Sequence, residues 1–278
     1  MNLPQTSFPP GQQRILRHIQ VNIPLTMLAE NQWLDFFIDS GINPEIGLDA
    51  AALDGFSLSE FKDIADTFHR LHRAITIHGP FMDLSPGSLD PKIRDLTRHR
   101  FDQLIDAASV FRPKNVVCHA GYDPDRYGFC KEQWAGYTID TWKWLGRELQ
   151  NRGARLMLEN VYETDPSDIV TLFNHLDRTQ IGYCLDVGHQ SVFGKIPLEE
   201  WLPLMGAYIG HIHLHDNAGD RDSHLGMGKG NIDFGLLFKF LKRLPKLPVI
   251  TLEPHEKDDF LTSLAYLEQS DFLSLFFK

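Results

Sequence analysis

Eight times along the 278 residues, a strand-length apolar segment is followed by a longer stretch with helical apolar spacing. The strand candidates are residues 18–24, 44–49, 74–78, 115–119, 155–159, 181–186, 209–215 and 247–253. The intervening spacing predicts helices over 27–40, 57–72, 92–111, 131–151, 166–176, 198–205, 234–244 and 258–269. Ser57 with Glu60 three residues on gives the second helix a capping box. Strands that alternate with helices pair in parallel, because each crossover returns the chain to the same edge of the sheet. Eight such units in roughly 250 residues are the size of a closed (β/α)8 TIM barrel. An open doubly wound sheet is the alternative, but no glycine-rich dinucleotide fingerprint follows the first strand. Composition does not break along the chain. The expectation is therefore one barrel domain over 1–278, with 1–17 as an N-terminal lead-in.

Hydrophobic residues make up 42% and charged residues 23%, the balance of a soluble globular protein. No apolar run approaches the roughly 20 residues needed to cross a bilayer. The opening MNLPQTSFPPGQQR has no apolar core segment of the signal-peptide kind, so a cytoplasmic location is expected. Cys118, Cys130 and Cys184 are too few and too scattered for a disulfide framework or a thiolate metal site, and Cys118 and Cys184 read as core residues. A net charge of −10 argues against a broad nucleic-acid footprint, although bound cations can reverse the field locally.

Chemistry gathers where the strands end. The third closes on His78, the fourth on His119, the fifth on Glu159 and the sixth on Asp186, with His189 three residues later. The seventh carries His213, followed by Asp222 and His224 in its loop, and the eighth closes on Glu253. In a barrel these positions share the carboxyl rim, where active sites lie. A carboxylate after LML or ITL is costly to desolvate unless a cation or hydrogen bonds compensate it. Six consecutive strands ending in His, Asp or Glu read as a metal cage, with nitrogen and oxygen donors suited to manganese, zinc, iron or cobalt.

The densest stretch is 209–234. In an extended strand His211, His213 and His215 project from one face, with His211 deeper in the barrel. His215 and Asp216 are expected to orient His213. The glycines of GMGKG (Gly226, Gly228, Gly230) permit either a turn that positions Asp222 and His224 or amides facing a phosphate. Lys229 and Glu45 are candidates for substrate contact. Trp142 and Trp144 cannot share one helical face, so one of them is expected on an outer surface.

The pieces EIGLD at Glu45, IHGPFMDL at His78, CHAG at His119, LEN at Glu159, LDVGH from Asp186 to His189, HLHD at His213, DSHLGMGKG from Asp222 and LE at Glu253 together resemble the xylose-isomerase-like barrel superfamily. That superfamily joins sugar isomerases and epimerases to apurinic endonucleases of the endonuclease IV type. LDVGH, and HLHD with DSH following, are its specific pieces. The resemblance implies that Glu159, Asp186, His213 and Glu253 hold one divalent ion. It also implies a second ion between His78, His119 and Glu159, and a third on His189, Asp222 and His224, so one to three ions per chain.

Three readings follow from the resemblance. The first is a divalent-metal-dependent sugar or sugar-phosphate isomerase or epimerase, with Glu159 and Glu253 as acid and base around a metal-stabilised enediolate. The alternative is a metal-dependent phosphodiesterase of the apurinic endonuclease type. The full ligand set favours it, and Phe81 and Met82 are candidates to wedge into a duplex. Acidity, with Arg221 and Lys229 as the only bases in the long seventh loop, counts against it. The third is a barrel that binds metal and sugar without turnover. A small sugar or sugar phosphate is thus expected ahead of nucleic acid, no membrane is implied, and the oligomeric state is left open.

Overall fold

The computed structural model describes residues 8–277. Eight strands close a parallel barrel in chain order: β1 Gln20–Pro24, β2 Asn43–Gly47, β3 Thr76–His78, β4 Asn115–His119, β5 Arg155–Glu159, β6 Ile181–Asp186, β7 Ile209–Leu214 and β8 Val249–Leu252. Pairing of Gln20 with Thr251 and Val21 with Leu252 completes the ring. The fold is a (β/α)8 TIM barrel, as the alternation predicts.

The apolar core lies between the strand ring and the helices. Helix Leu58–Arg70 shows why: Phe61, Ile64, Ala65 and Phe68 recur at helical spacing and are buried, and Ser57 and Glu60 form the expected capping box. Inside the ring, Val117, Met157 and Cys184 make a small apolar cluster. Below the rim sits a polar layer. Glu45 accepts hydrogen bonds from Thr76 Oγ1 (2.9 Å) and Thr251 Oγ1 (3.1 Å), and His211 Nε2 lies 2.7 Å from the same Thr251 hydroxyl. His211 is therefore the interior residue expected of it.

Periodicity alone does not resolve the connections. The single helix expected over 27–40 is two, Leu25–Leu28 and Asn31–Ser40, the second ending at Gly41 in the left-handed conformation (φ 67°). Further helices occupy Ala50–Gly55, Pro124–Tyr127 and Val187–Phe193, all too short for a hydrophobic period to show. The expected lead-in carries a helix, Pro10–Leu16, tied to the last long helix by Gln12 Nε2 donating to Glu268 (2.9 Å). Trp142 is fully buried, whereas Trp144 lies under the Arg98 guanidinium at 4.3 Å and is not a bare patch. No helix among the described residues is long and apolar enough to cross a membrane.

Candidate metal centre

Parallel pairing places the donors. Register sets His119 beside Glu159 and Asp186 beside His213, so neighbouring strands present an imidazole and a carboxylate at equal height. A register shift at Tyr183/Cys184 absorbs one extra residue of β7, after which Cys184 faces His211 and Asp186 faces His213.

Glu159 is the hub, fully buried. Its Oε2 lies 3.1 Å from His78 Nε2 and 3.6 Å from His119 Nε2. Its Oε1 lies 3.0 Å from His213 Nδ1 and 3.5 Å from His189 Nδ1. His213 Nδ1 also faces Glu253 at 3.2 Å and Asp186 at 3.7 Å. Asp222 Oδ2 sits between His189 Nε2 (3.2 Å) and His224 Nε2 (3.1 Å). Three donor groupings converge here: His78, Glu159 and His213; Glu159, Asp186, His213 and Glu253; and His189, His215, Asp222 and His224. His119 stands at the edge of the first, stacked under Phe81 at 4.3 Å.

The hydrogen bonds of these imidazoles fit a cation. His78 Nδ1 lies 3.0 Å from Gly79 O, His189 Nδ1 3.0 Å from Asn160 O, and His224 Nδ1 2.9 Å from Glu253 O. A carbonyl oxygen only accepts, so each outer nitrogen carries the proton and the inner nitrogen of the neutral ring is a bare lone pair. That lone pair faces a carboxylate about 3 Å away, an arrangement that repels unless a proton or a metal ion lies between. The electrostatics agree. Burial opposes the His213 cation, yet the carboxylates of Glu253, Glu45 and Glu159 outweigh it and raise its pKa well above the usual imidazole value. Burial likewise opposes ionised Asp222, but hydrogen bonds that His189 and His224 donate when their rings are protonated hold its pKa down. The cluster is built around positive charge.

Glu45 is corrected from substrate contact to support. It is fully buried in the barrel, with Oε1 2.9 Å from His213 Nε2 and Oε2 3.1 Å from His211 Nε2, and makes a deeper donor grouping with those two imidazoles. Lys229 is exposed and lines neither cavity beside the cluster. Asp216 does not orient His213. Its carboxylate accepts the amides of Asn217, Gly228, Gly230 and Ile232, within 3.2 Å. Gly226 N donates to Asp259, so the amides of the glycine run are engaged in shaping the loop and none is left for a phosphate. His215 supports Asp186 instead of His213, at 3.1 Å from both of its oxygens, and is close enough to the third grouping to be a donor itself.

Two contributors escape sequence reasoning. Asn160, the last letter of LEN, holds Asp186 from both sides of its backbone, accepting from Asp186 N (3.0 Å) and donating to Asp186 O (2.9 Å). His255 stacks on His224 at 3.8 Å. Spacing gives neither away; asparagine after a candidate ligand is the only available cue. At His224 the backbone is left-handed (φ 47°), a conformation that costs a non-glycine residue about 1–2 kcal/mol. The Asp216–Leu225 bridge beside it, with N···O distances of 2.9 and 2.8 Å, holds the chain in place.

The cluster forms the floor of a cavity of about 560 Å³, walled by loop residues that include Pro80, Phe81, Met82, Tyr122, Arg126 and Tyr162. Phe81 and Met82 are exposed there.

A closed parallel barrel whose carboxyl rim gathers imidazoles and carboxylates defines a class, the xylose-isomerase-type barrels. The chain belongs to the xylose isomerase-like TIM barrel family, whose model matches residues 39–271. It is similar to the TTHB071 protein from Thermus thermophilus, solved after soaking with ZnCl2. The two are 27% identical, the match covers 91% of this chain and 97% of that one, and the TM-score is 0.77. It is 27% identical over 213 residues to a probable endonuclease 4 of Mycobacterium leprae, covering 70% of this chain and 79% of that protein. A D-tagatose 3-epimerase-like protein shares the fold, with a TM-score of 0.77 at 23% identity over 92% of this chain and 98% of that one.

Proposed function

We propose that the protein is a phosphoester hydrolase working with several divalent metal ions, which reverses the order of readings expected from sequence. The observation that carries it is the state of Glu159. To act as acid or base on a carbon–hydrogen bond, a carboxylate needs one oxygen open to substrate. Both oxygens of Glu159 are engaged, Oε2 by His78 at 3.1 Å and Oε1 by His213 at 3.0 Å. A carboxylate so placed would serve as a ligand in both donor groupings that contain it. The similarity to a zinc-soaked protein and to a probable endonuclease 4 supports the reading.

Bound at this cluster, divalent ions supply Lewis acidity toward phosphoryl oxygens and lower the pKa of water. His78, His119 and Glu159 would hold one ion, Glu159, Asp186, His213 and Glu253 a second, and His189, Asp222 and His224 a third. The chain itself does the rest. Backbone carbonyls fix the tautomers of His78, His189 and His224, Glu45 sets its charge against His213, and Arg126 at the cavity wall can pair with a non-bridging phosphate oxygen. Phe81 covers His119 and limits water access from that side.

The sugar isomerase or epimerase reading remains second, favoured by Glu253, which is less enclosed than Glu159 and reaches the open cavity. Elemental analysis of purified protein separates the two. Two or three ions per chain with cleavage of bis(p-nitrophenyl) phosphate supports the hydrolase. One ion per chain, with solvent deuterium entering a ketose next to its carbonyl, would overturn it.

A further inference from the structure

A second cavity, of about 380 Å³, opens beside the metal cluster and shares His78, Phe81, Glu253 and His255 with the first. Its character is different. Met27, Trp33, Phe36, Phe37, Leu48 and Phe260 line it, supplied by the segments after β1, β2 and β8. Its polar groups sit at two edges: Asn22 and Asp49 on the β1 and β2 side, and Glu253, His255, Glu256 and Lys257 on the β8 side, with the aromatic wall between them. Asn22 Nδ2 donates to Glu45 (3.3 Å) and Asp49 caps helix Ala50–Gly55 by accepting from Ala52 N (2.7 Å), while Lys257 Nζ lies 5.3 Å over the Phe36 ring.

A sugar carries a hydroxyl on almost every carbon, and those brought against the Met27, Trp33, Phe36, Phe37 and Phe260 wall would lose water without gaining a partner. A flat apolar group loses nothing polar and covers aromatic surface. Because the two cavities share a wall, a molecule with its phosphate at the ions can place its other end in this annex without bending through solvent. We propose that the annex is a binding subsite for an apolar, ring-bearing group of the substrate, so that the substrate class is an apolar phosphate ester. The proposal rests on the hydrolase reading for the phosphate end and on the annex alone for the apolar end.

Gly47, the last residue of β2, lines the annex and offers a way to fill it. A Cβ there would meet nothing closer than Pro24 Cα at 3.5 Å, and its φ lies outside the left-handed region, so the backbone tolerates a side chain. Trp33, half-buried on helix Asn31–Ser40, offers a way to enlarge it. The test is calorimetric binding of methylphosphonate, benzylphosphonate and benzyl alcohol to the metal-loaded protein, in wild type, Gly47→Val and Trp33→Ala.

Benzylphosphonate is expected to bind about tenfold or more tighter than methylphosphonate, with a negative heat-capacity change, and both substitutions should shrink that ratio. Equal affinity of the two phosphonates in wild type would overturn the proposal. So would a benzyl preference unchanged in both variants when their melting temperatures are normal, since the ring would then bind elsewhere. If benzyl alcohol binds and responds to both substitutions while neither phosphonate binds, the annex stands and the hydrolase reading falls. If both phosphonates bind and phosphate esters are cleaved without benzyl preference, the hydrolase stands and the annex falls.

Discussion

Glu45 shows what a single position in a linear sequence hides. EIGLD marks it as a strand-end acid, and nothing in the spacing says whether its carboxylate points to solvent or into the barrel. The register does: Glu45 pairs beside Asn22 and Thr76, and its oxygens reach His211 and His213 inside the ring. The donors themselves were legible because a His, Asp or Glu closing an apolar strand is anomalous one residue at a time. Their supporting partners were not, because support depends on which strand lies opposite. Groups that orient a ligating imidazole typically govern metal affinity by about 10–100-fold. Glu45→Gln is therefore expected to weaken metal binding by about that factor while leaving the donor set intact, as measured by competition with a chromophoric chelator. Glu159→Gln removes the charge shared by two donor groupings. It is expected to lower bound metal by at least one ion per chain and to abolish turnover, read by elemental analysis alongside the rate. Wild-type metal content in that variant would remove Glu159 from the proposed ligand set.

At the scale of elements, the strands and their order were legible because their apolar runs are short, frequent and bounded. The short helices were not, since a helix of one or two turns shows no period. One of these, Val187–Phe193, follows the strand end at Asp186, which caps it by accepting from His189 N at 2.6 Å. The helix crosses so close to the end of β7 that a Cβ on Gly188 would fall 1.9 Å from the His215 ring. The glycine of LDVGH is thus a packing requirement. Gly188→Ala is expected to displace His215, destabilise the protein by about 1–3 kcal/mol through overpacking and reduce occupancy of the third grouping. Thermal melting and metal analysis check the two effects separately. The loop after β5 carries a different device. Glu163 is buried with one oxygen bonded to Val161 N (2.7 Å) and the other without a partner, and desolvation pushes its pKa up to about 8 from 4.5. The fold then holds a proton that unfolding releases. The stability this group contributes is whole below about pH 4.5 and is lost as the pH climbs to about 8. Glu163→Gln keeps the acceptor and removes the charge. Its melting temperature should exceed the wild type's by a few degrees at pH 9, and the difference should vanish near pH 5. A constant difference across that range would mean that Glu163 does not titrate in the fold.

Across the whole molecule, the chain brings a formal charge of −10 and concentrates buried carboxylates at one end of its barrel. Glu45, Glu159 and Asp186 are fully buried within a few ångströms of one another's imidazole partners, where an uncompensated anion costs several kcal/mol. Sequence revealed this as a conflict between apolar strands and acidic ends, and the fold resolves it by convergence on one rim. It could not reveal which chemistry uses the rim, because that depends on which carboxylate oxygens remain free. Ions that bind the native cluster but not the unfolded chain stabilise by mass action, by about 4 kcal/mol at a thousandfold excess over Kd. At roughly 2–4 °C per kcal/mol for a chain of this size, stripping metal should lower the melting temperature by on the order of 10 °C. Scanning calorimetry before and after exhaustive chelation measures the change. Restoration should follow zinc, manganese or cobalt and should be weak with calcium or magnesium, because imidazole nitrogen favours the transition metals over hard cations that select oxygen. A protein that melts at the same temperature with and without metal would place the compensating charge in protonated imidazoles, and the cluster would then be an ionic network without a resident ion.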